Sequence, residues 1–261
     1  MEVIKGYWIV KNHFWISLLI GIGFLAVLQT GINTSFTASI RQPFASLGLW
    51  VTGFCFVVFF YNRKYLKFFN QYAFFKALRI PLLILAGAWA FVVLPTPFLR
   101  GFFLLFSMVV VASFEGAVAS FSENLLINEV LFTSFAVFLG SGAWAFLYFP
   151  EFRFYIALAT FVFIFFLSRS FFEYTLSSAK TKLVCSLVTA LLIAELFWIF
   201  GLLPQHYSVL SLSLTAAYYL ILITNYNYLF NNLDFKKIQF YLFFTALCII
   251  LVFLTSAWKI L

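Results

Sequence analysis

The chain has 261 residues, of which 65% are hydrophobic, 23% aromatic and only 9% charged, with a mean hydropathy of +1.07. Soluble domains carry about 25% charged residues and bury at most about three quarters of the surface their open chains expose. Composition therefore excludes a water-soluble fold and predicts an all-α, polytopic transmembrane helical bundle. The net charge of +8 does not argue for nucleic acid, because basic residues on a polytopic protein mark cytoplasmic loops and the anionic lipids beside them.

Crossing ~30 Å of hydrocarbon takes about 20 apolar residues at 1.5 Å each. Such stretches fall at 14–32, 44–61, 80–96, 98–118, 125–148, 152–171, 183–203, 208–224 and 238–258. That is nine spans, or eight if the short third or the interrupted sixth does not cross. The first follows Lys5 and Lys11 as a secretory signal would. Its apolar run is too long for one, and no small-x-small cleavage site follows Gln29, so it is expected to stay as an anchor.

Retained loops accumulate lysine and arginine. With the N-terminus inside, twelve of the 16 basic residues face the cytosol: Lys5, Lys11, Arg63, Lys64, Lys67, Lys76, Arg79, Arg169, Lys180, Lys182, Lys236 and Lys237. Arg41, Arg100, Arg153 and Lys259 remain outside. The whole chain, 1–261, reads as a single transmembrane domain. Residues 1–79 hold two spans and a basic segment, 80–224 hold three hairpins, and 225–261 hold a cytoplasmic loop and the last span.

The basic segment, 62–79, carries Arg63, Lys64, Lys67, Lys76 and Arg79 and no acid, interleaved with Tyr65, Phe68, Phe69, Tyr72 and Phe75. This is the pattern of a helix lying along the inner membrane face. Contact with anionic lipid and a simple anchoring and topology signal are both open.

The three hairpins share a motif at their outer ends. Gly87-Ala88-Trp89-Ala90-Phe91 precedes Pro95, Gly142-Ala143-Trp144-Ala145-Phe146 precedes Pro150, and Leu196-Phe197-Trp198-Ile199-Phe200 precedes Pro204. Tryptophan stands six positions before proline each time, and the tryptophans are 55 and 54 residues apart. That period is one outgoing helix, a turn and one returning helix, and it suggests stacked hairpins. Three positions before each tryptophan stand Ala86, Ser141 and Glu195, so only the third hairpin carries an acid there.

Glu195 falls well inside its span, where such an acid is usually paired or set against a cavity. Leu191, Leu192 and Ile199 on its own helix give no help. Tyr218 and Tyr219 on the next span lie at nearly the same depth, and a phenol can donate to the carboxyl group. A proton or cation relay and a bond holding two helices together are the two readings of this set. A second polar group, Glu115, Glu123, Asn124, Asn128 and Glu129, surrounds the inner turn between spans four and five. Arg169 and Glu173, four apart on one helical face, are placed to meet it, as a cytoplasmic vestibule or as interfacial ion pairs on a solvated loop. Outside, Arg41, Arg100, Arg153 and His206 are scattered around turns, as headgroup contacts or as an anion site.

No catalytic constellation is legible. His13 and His206 fall on opposite sides of the membrane, Asp234 is the sole aspartate, and Cys55, Cys185 and Cys248 each lie inside an apolar run. Metal ligands at binding spacing, a nucleophile elbow and a phosphate-cradling loop are all missing, so neither a metal nor a cofactor is expected. The expected role is a non-catalytic membrane component that binds partner helices or lipids. The alternative is a small secondary transporter or permease, coupled to protons or cations through Glu195.

The stretch 195–207, Glu-Leu-Phe-Trp-Ile-Phe-Gly-Leu-Leu-Pro-Gln-His-Tyr, followed by Tyr218-Tyr219, resembles a segment of uncharacterised multi-pass membrane proteins of small-genome, candidate-phyla bacteria. The resemblance implies a bacterial inner membrane and this helical architecture. It brings no activity, since none is assigned to that group.

Overall fold

Hydrocarbon offers no water to backbone N–H and C=O groups, so an apolar chain must satisfy them internally, and a helix does so within one segment. The computed structural model describes residues 42–68, 74–91, 123–148, 150–202, 206–230 and 235–255, with isolated positions between 16 and 27 and between 106 and 113. Every regular element among these described residues is helical. The helices are α1 (Gln42–Phe68), α2 (Phe74–Phe91), α3 (Glu123–Ala143), α4 (Arg153–Phe172), α5 (Ala179–Phe200), α6 (Tyr207–Leu229) and α7 (Phe235–Thr255). A π-helical turn, Trp144–Tyr148, extends α3, and a 3-10 turn, Pro150–Phe152, opens α4.

Five stretches are long and apolar enough to cross a membrane: Phe74–Phe91, Leu126–Phe146, Pro150–Phe172, Ala179–Phe200 and Tyr207–Leu229. They coincide with the third and the fifth to eighth expected spans. Helices α1 and α7 run through the second and ninth. Most of the expected fourth span, 98–118, and most of the first lie outside the described residues, as do Pro95 and Pro204 of the hairpin motif.

The basic segment is not a separate surface helix. Helix α1 continues to Phe68 and α2 already opens at Phe74. Pro81 lacks an N–H and has a fixed φ, which suits the first turn of a helix. It stands instead as the eighth residue of α2, where the bond lost is the one to the Ala77 carbonyl. The Cys55 thiol donates to the Pro81 carbonyl at 3.6 Å and ties α1 to α2.

The chain divides into two compact units, Met1–Glu129 and Val130–Leu261. In the first, Val51, Cys55 and Val58 of α1 and Ile80, Leu83 and Ile84 of α2 are buried, and the Phe24 ring is wholly enclosed. Gly87 makes room for that ring, since a Cβ there would stand 3.2 Å from its Cζ.

In the second unit α4 packs on α5, α5 on α6 and α6 on α7. The short connections 173–178 and 201–206 make consecutive helices antiparallel. Ser178 caps α5, accepting from the Thr181 N–H at 3.2 Å, and His206 caps α6, accepting from the Ser208 N–H at 3.3 Å. At the 173–178 end, the Ser177 hydroxyl donates to the Leu229 carbonyl at 2.5 Å. At the opposite end, the Phe146 ring lies 6.1 Å from Phe197 and 4.8 Å from the Arg153 guanidinium. Gly201 closes this corner, because a Cβ there would overlap the Phe146 ring.

Candidate functional site

The buried residues of α5 are Lys182, Cys185, Ser186, Thr189, Ala190, Ile193 and Phe197. They recur at steps of three and four, as one helical face requires. Glu195 stands two residues beyond Ile193, roughly 200° around the helix at 3.6 residues per turn, and is accordingly exposed. No described side chain pairs with its carboxyl group.

The carboxyl group opens into a groove of about 680 Å³ between α4 and α5. One wall is Phe154, Ala157, Leu158 and Phe161; the other is Leu191, Ala194, Trp198 and Ile199, with Glu195 the one charged group among them. Glu195 lies five residues before Phe200 and sixteen after Ala179, which at 1.5 Å per residue is ~8 Å and ~24 Å along the axis. Trp198, 48% exposed, stands one turn closer to the helix end, where an indole marks the membrane boundary. A charged carboxylate facing hydrocarbon at midplane costs ~2.5–3.5 kcal/mol on insertion scales, and one turn below the boundary that penalty is reduced but not removed.

The expected phenol donors do not meet Glu195. Tyr218 is fully buried, its oxygen 3.1 Å from the Ser168 hydroxyl and its ring edge-on to Phe138 at 6.3 Å. Tyr219 sets its ring against Tyr241 of α7 at 6.4 Å. The reason is helical phase, since the inward face of α5 is taken by the residues from Lys182 to Phe197 named above, and Glu195 is not among them. Ser168 and Asn225 are the partners that sequence reasoning missed. The Asn225 amide donates to the Thr189 hydroxyl at 2.8 Å, and the Thr160 hydroxyl lies 2.8 Å from Ser141 Oγ. The three matched motif positions also differ in facing: Ala86 and Ser141 are buried, whereas Glu195 is exposed.

The charged residues fall into two sets. Arg79, expected as a lipid contact, is 5% exposed; its Nε lies 2.8 Å from each oxygen of Glu129. Arg63 and Lys64 are exposed and Lys76 is half-buried, while Lys67 belongs to α1. The residues of the expected cluster are divided between the two units. In the first, Glu129 pairs with Arg79; in the second, the Arg169 guanidinium pairs with Glu173 one turn on, and Lys182 Nζ approaches the same carboxylate at 4.0 Å. Glu115, Arg41 and Arg100 lie outside the described residues. Among the described residues no three His, Cys, Asp or Glu side chains are grouped to hold a metal ion.

Comparison of the chain with protein-family models, with curated proteins and with solved structures finds no match.

Proposed function

We propose that this protein is a non-catalytic component of a bacterial inner membrane that binds partner helices or lipids along its sides. It has nine spans and a cytoplasmic N-terminus. The orientation is supported by the twelve-to-four division of its 16 basic residues, and the bacterial membrane by the resemblance of residues 195–207.

The observation that carries the binding role is the facing of Glu195. The one acid of α5 lies on the exposed side of its helix, in an apolar groove, rather than in the packed interior. Inside the second unit, serine, threonine, tyrosine and asparagine side chains bond to one another across helices, which serves helix cohesion.

Purified protein in sealed vesicles carrying a pH gradient tests this reading. No protein-dependent proton flux is expected, in the native chain or in Glu195→Gln. A gradient-driven flux that Glu195→Gln abolishes would replace it with the secondary-transporter reading.

A further inference from the structure

We propose that the groove between α4 and α5 seats one lipid whose headgroup ends in a primary ammonium, with the ammonium on Glu195 and an acyl chain lying toward Phe161 and Leu191. The inference rests on the lateral-binding reading above and names its ligand.

Charge selects a cation. The groove is apolar except for one carboxylate, and that carboxylate has no partner among the described residues. An N–H-bearing cation supplies both the countercharge and hydrogen-bond donors, and charge-assisted bonds of this kind are the strong ones. Trp198 stands in the same wall, and tryptophan is the best aromatic partner for a cation.

Length selects a lipid over a helix. The lining runs from 154 to 161 on α4 and from 191 to 199 on α5, seven and eight steps of 1.5 Å, or ~12 Å. The hydrocarbon layer is ~30 Å deep. The groove thus reaches from the Trp198 boundary to about mid-bilayer, the depth of a single leaflet. A partner helix crossing at the usual ~20° keeps its contact over more of the span than this groove offers.

Shape and depth agree. Ala157 and Ala194 leave the floor low, while Phe154, Leu158 and Trp198 stand 64%, 50% and 48% exposed as walls. Glu195 lies one turn below Trp198, within reach of a headgroup amine. Arg153, one turn before Ala157 on α4, lies at that same end, its guanidinium held by the Ala145 carbonyl at 3.2 Å and the Phe146 ring.

Tryptophan quenching tests the assignment. The full-length protein is placed in phosphatidylcholine vesicles containing a minor fraction of lipid brominated on its acyl chains, either phosphatidylethanolamine, phosphatidylglycerol or phosphatidylcholine. Because the chain has 7 tryptophans, the Trp198 signal is taken as the difference from Trp198→Phe. The expected result is a relative association constant about tenfold higher for the ethanolamine lipid than for the choline lipid, the equivalent of one charge-assisted hydrogen bond. Glu195→Gln should abolish that preference.

Equal quenching by the ethanolamine and choline lipids, or a preference that survives Glu195→Gln, would overturn the proposal. A benzoylphenylalanine at Leu158, photolysed in native membranes, supplies a second reading that does not depend on Trp198→Phe. A lipid-sized adduct supports the proposal and a polypeptide adduct overturns it in favour of a partner helix. Either failure leaves the flux test of the functional reading untouched, and a positive flux assay would sink that reading without altering the lipid preference.

Discussion

The ion pair between Arg79 and Glu129 offers a measurable energy. Their side chains are 6% and 2% exposed. Arg79 lies five residues into α2 and Glu129 six into α3, so both stand ~8–9 Å along their helices at 1.5 Å per residue. Removing one member leaves the other charge buried without its countercharge, which costs ~3–5 kcal/mol. Replacing both with apolar residues of similar volume is often close to neutral. Glu129→Gln and Arg79→Met should therefore each destabilise by ~3–5 kcal/mol, and Arg79→Met with Glu129→Leu by far less than the sum. Total stabilities are about 5–15 kcal/mol, so either single change removes a large share. Reversible unfolding in mixed micelles at rising dodecyl sulfate fraction, followed by circular dichroism, gives the three values and their coupling. Single changes each within about 1 kcal/mol of the native protein, or a double variant equal to their sum, would refute the argument, because the pair would then be behaving as a solvated one.

Three further outcomes are expected. Ser168→Ala and Tyr218→Phe remove the same bond, so each should cost ~0.6 kcal/mol, at most about 1.7, with the double variant little worse than either in the same unfolding assay. Gly201→Ala drives a methyl group into the Phe146 ring and should cost ~1–3 kcal/mol as overpacking, partly relieved by Phe146→Leu; an unchanged unfolding midpoint would show that the corner yields freely. Cysteines placed at Lys64 and Lys236, both exposed, should react with a membrane-impermeant maleimide only after cells are opened, and labelling of either in intact cells would reverse the orientation.

What the sequence made legible is what lipid dictates strongly, namely helices, their lengths and most of their positions. Span ends were less legible. The third span was expected to start at 80, whereas α2 begins at Phe74; Pro81, the eighth residue of that helix, forfeits one bond without ending it. That shift carried Arg79 from an expected surface contact into a buried pair. Facing was the least legible property. In water an apolar stripe marks the inner face, but in lipid both faces are apolar, so Leu191, Leu192 and Ile199 reveal nothing about which way Glu195 points. A usable signal was present in the hydroxyl residues of the same helix. Ser186 and Thr189, both fully buried, mark the packed face, as small polar residues do between membrane helices, and Glu195 is out of phase with them.

The bonding of those hydroxyls bears on how the second unit holds together. Ser186, Thr189, Ser211 and Thr215 each donate to the carbonyl four residues earlier, and Ser134 and Ser170 to the carbonyl three earlier. Such back-bonds satisfy the hydroxyl inside its own helix and resist no movement of one helix past another. Bonds between helices here include Thr160 with Ser141, Ser168 with Tyr218, and Asn225 with Thr189. At ~0.6 kcal/mol apiece they are too weak to fix the packing alone. Shape must then set it, through contacts such as Gly201 beneath Phe146 and the wholly buried Phe138, Phe171 and Phe197. Truncating Phe197 to Ala, at ~3–5 kcal/mol, should accordingly outweigh deletion of any single interhelical hydroxyl. The reverse order in the micelle unfolding series would mean that the polar bonds, and not the aromatic packing, define the arrangement of these helices.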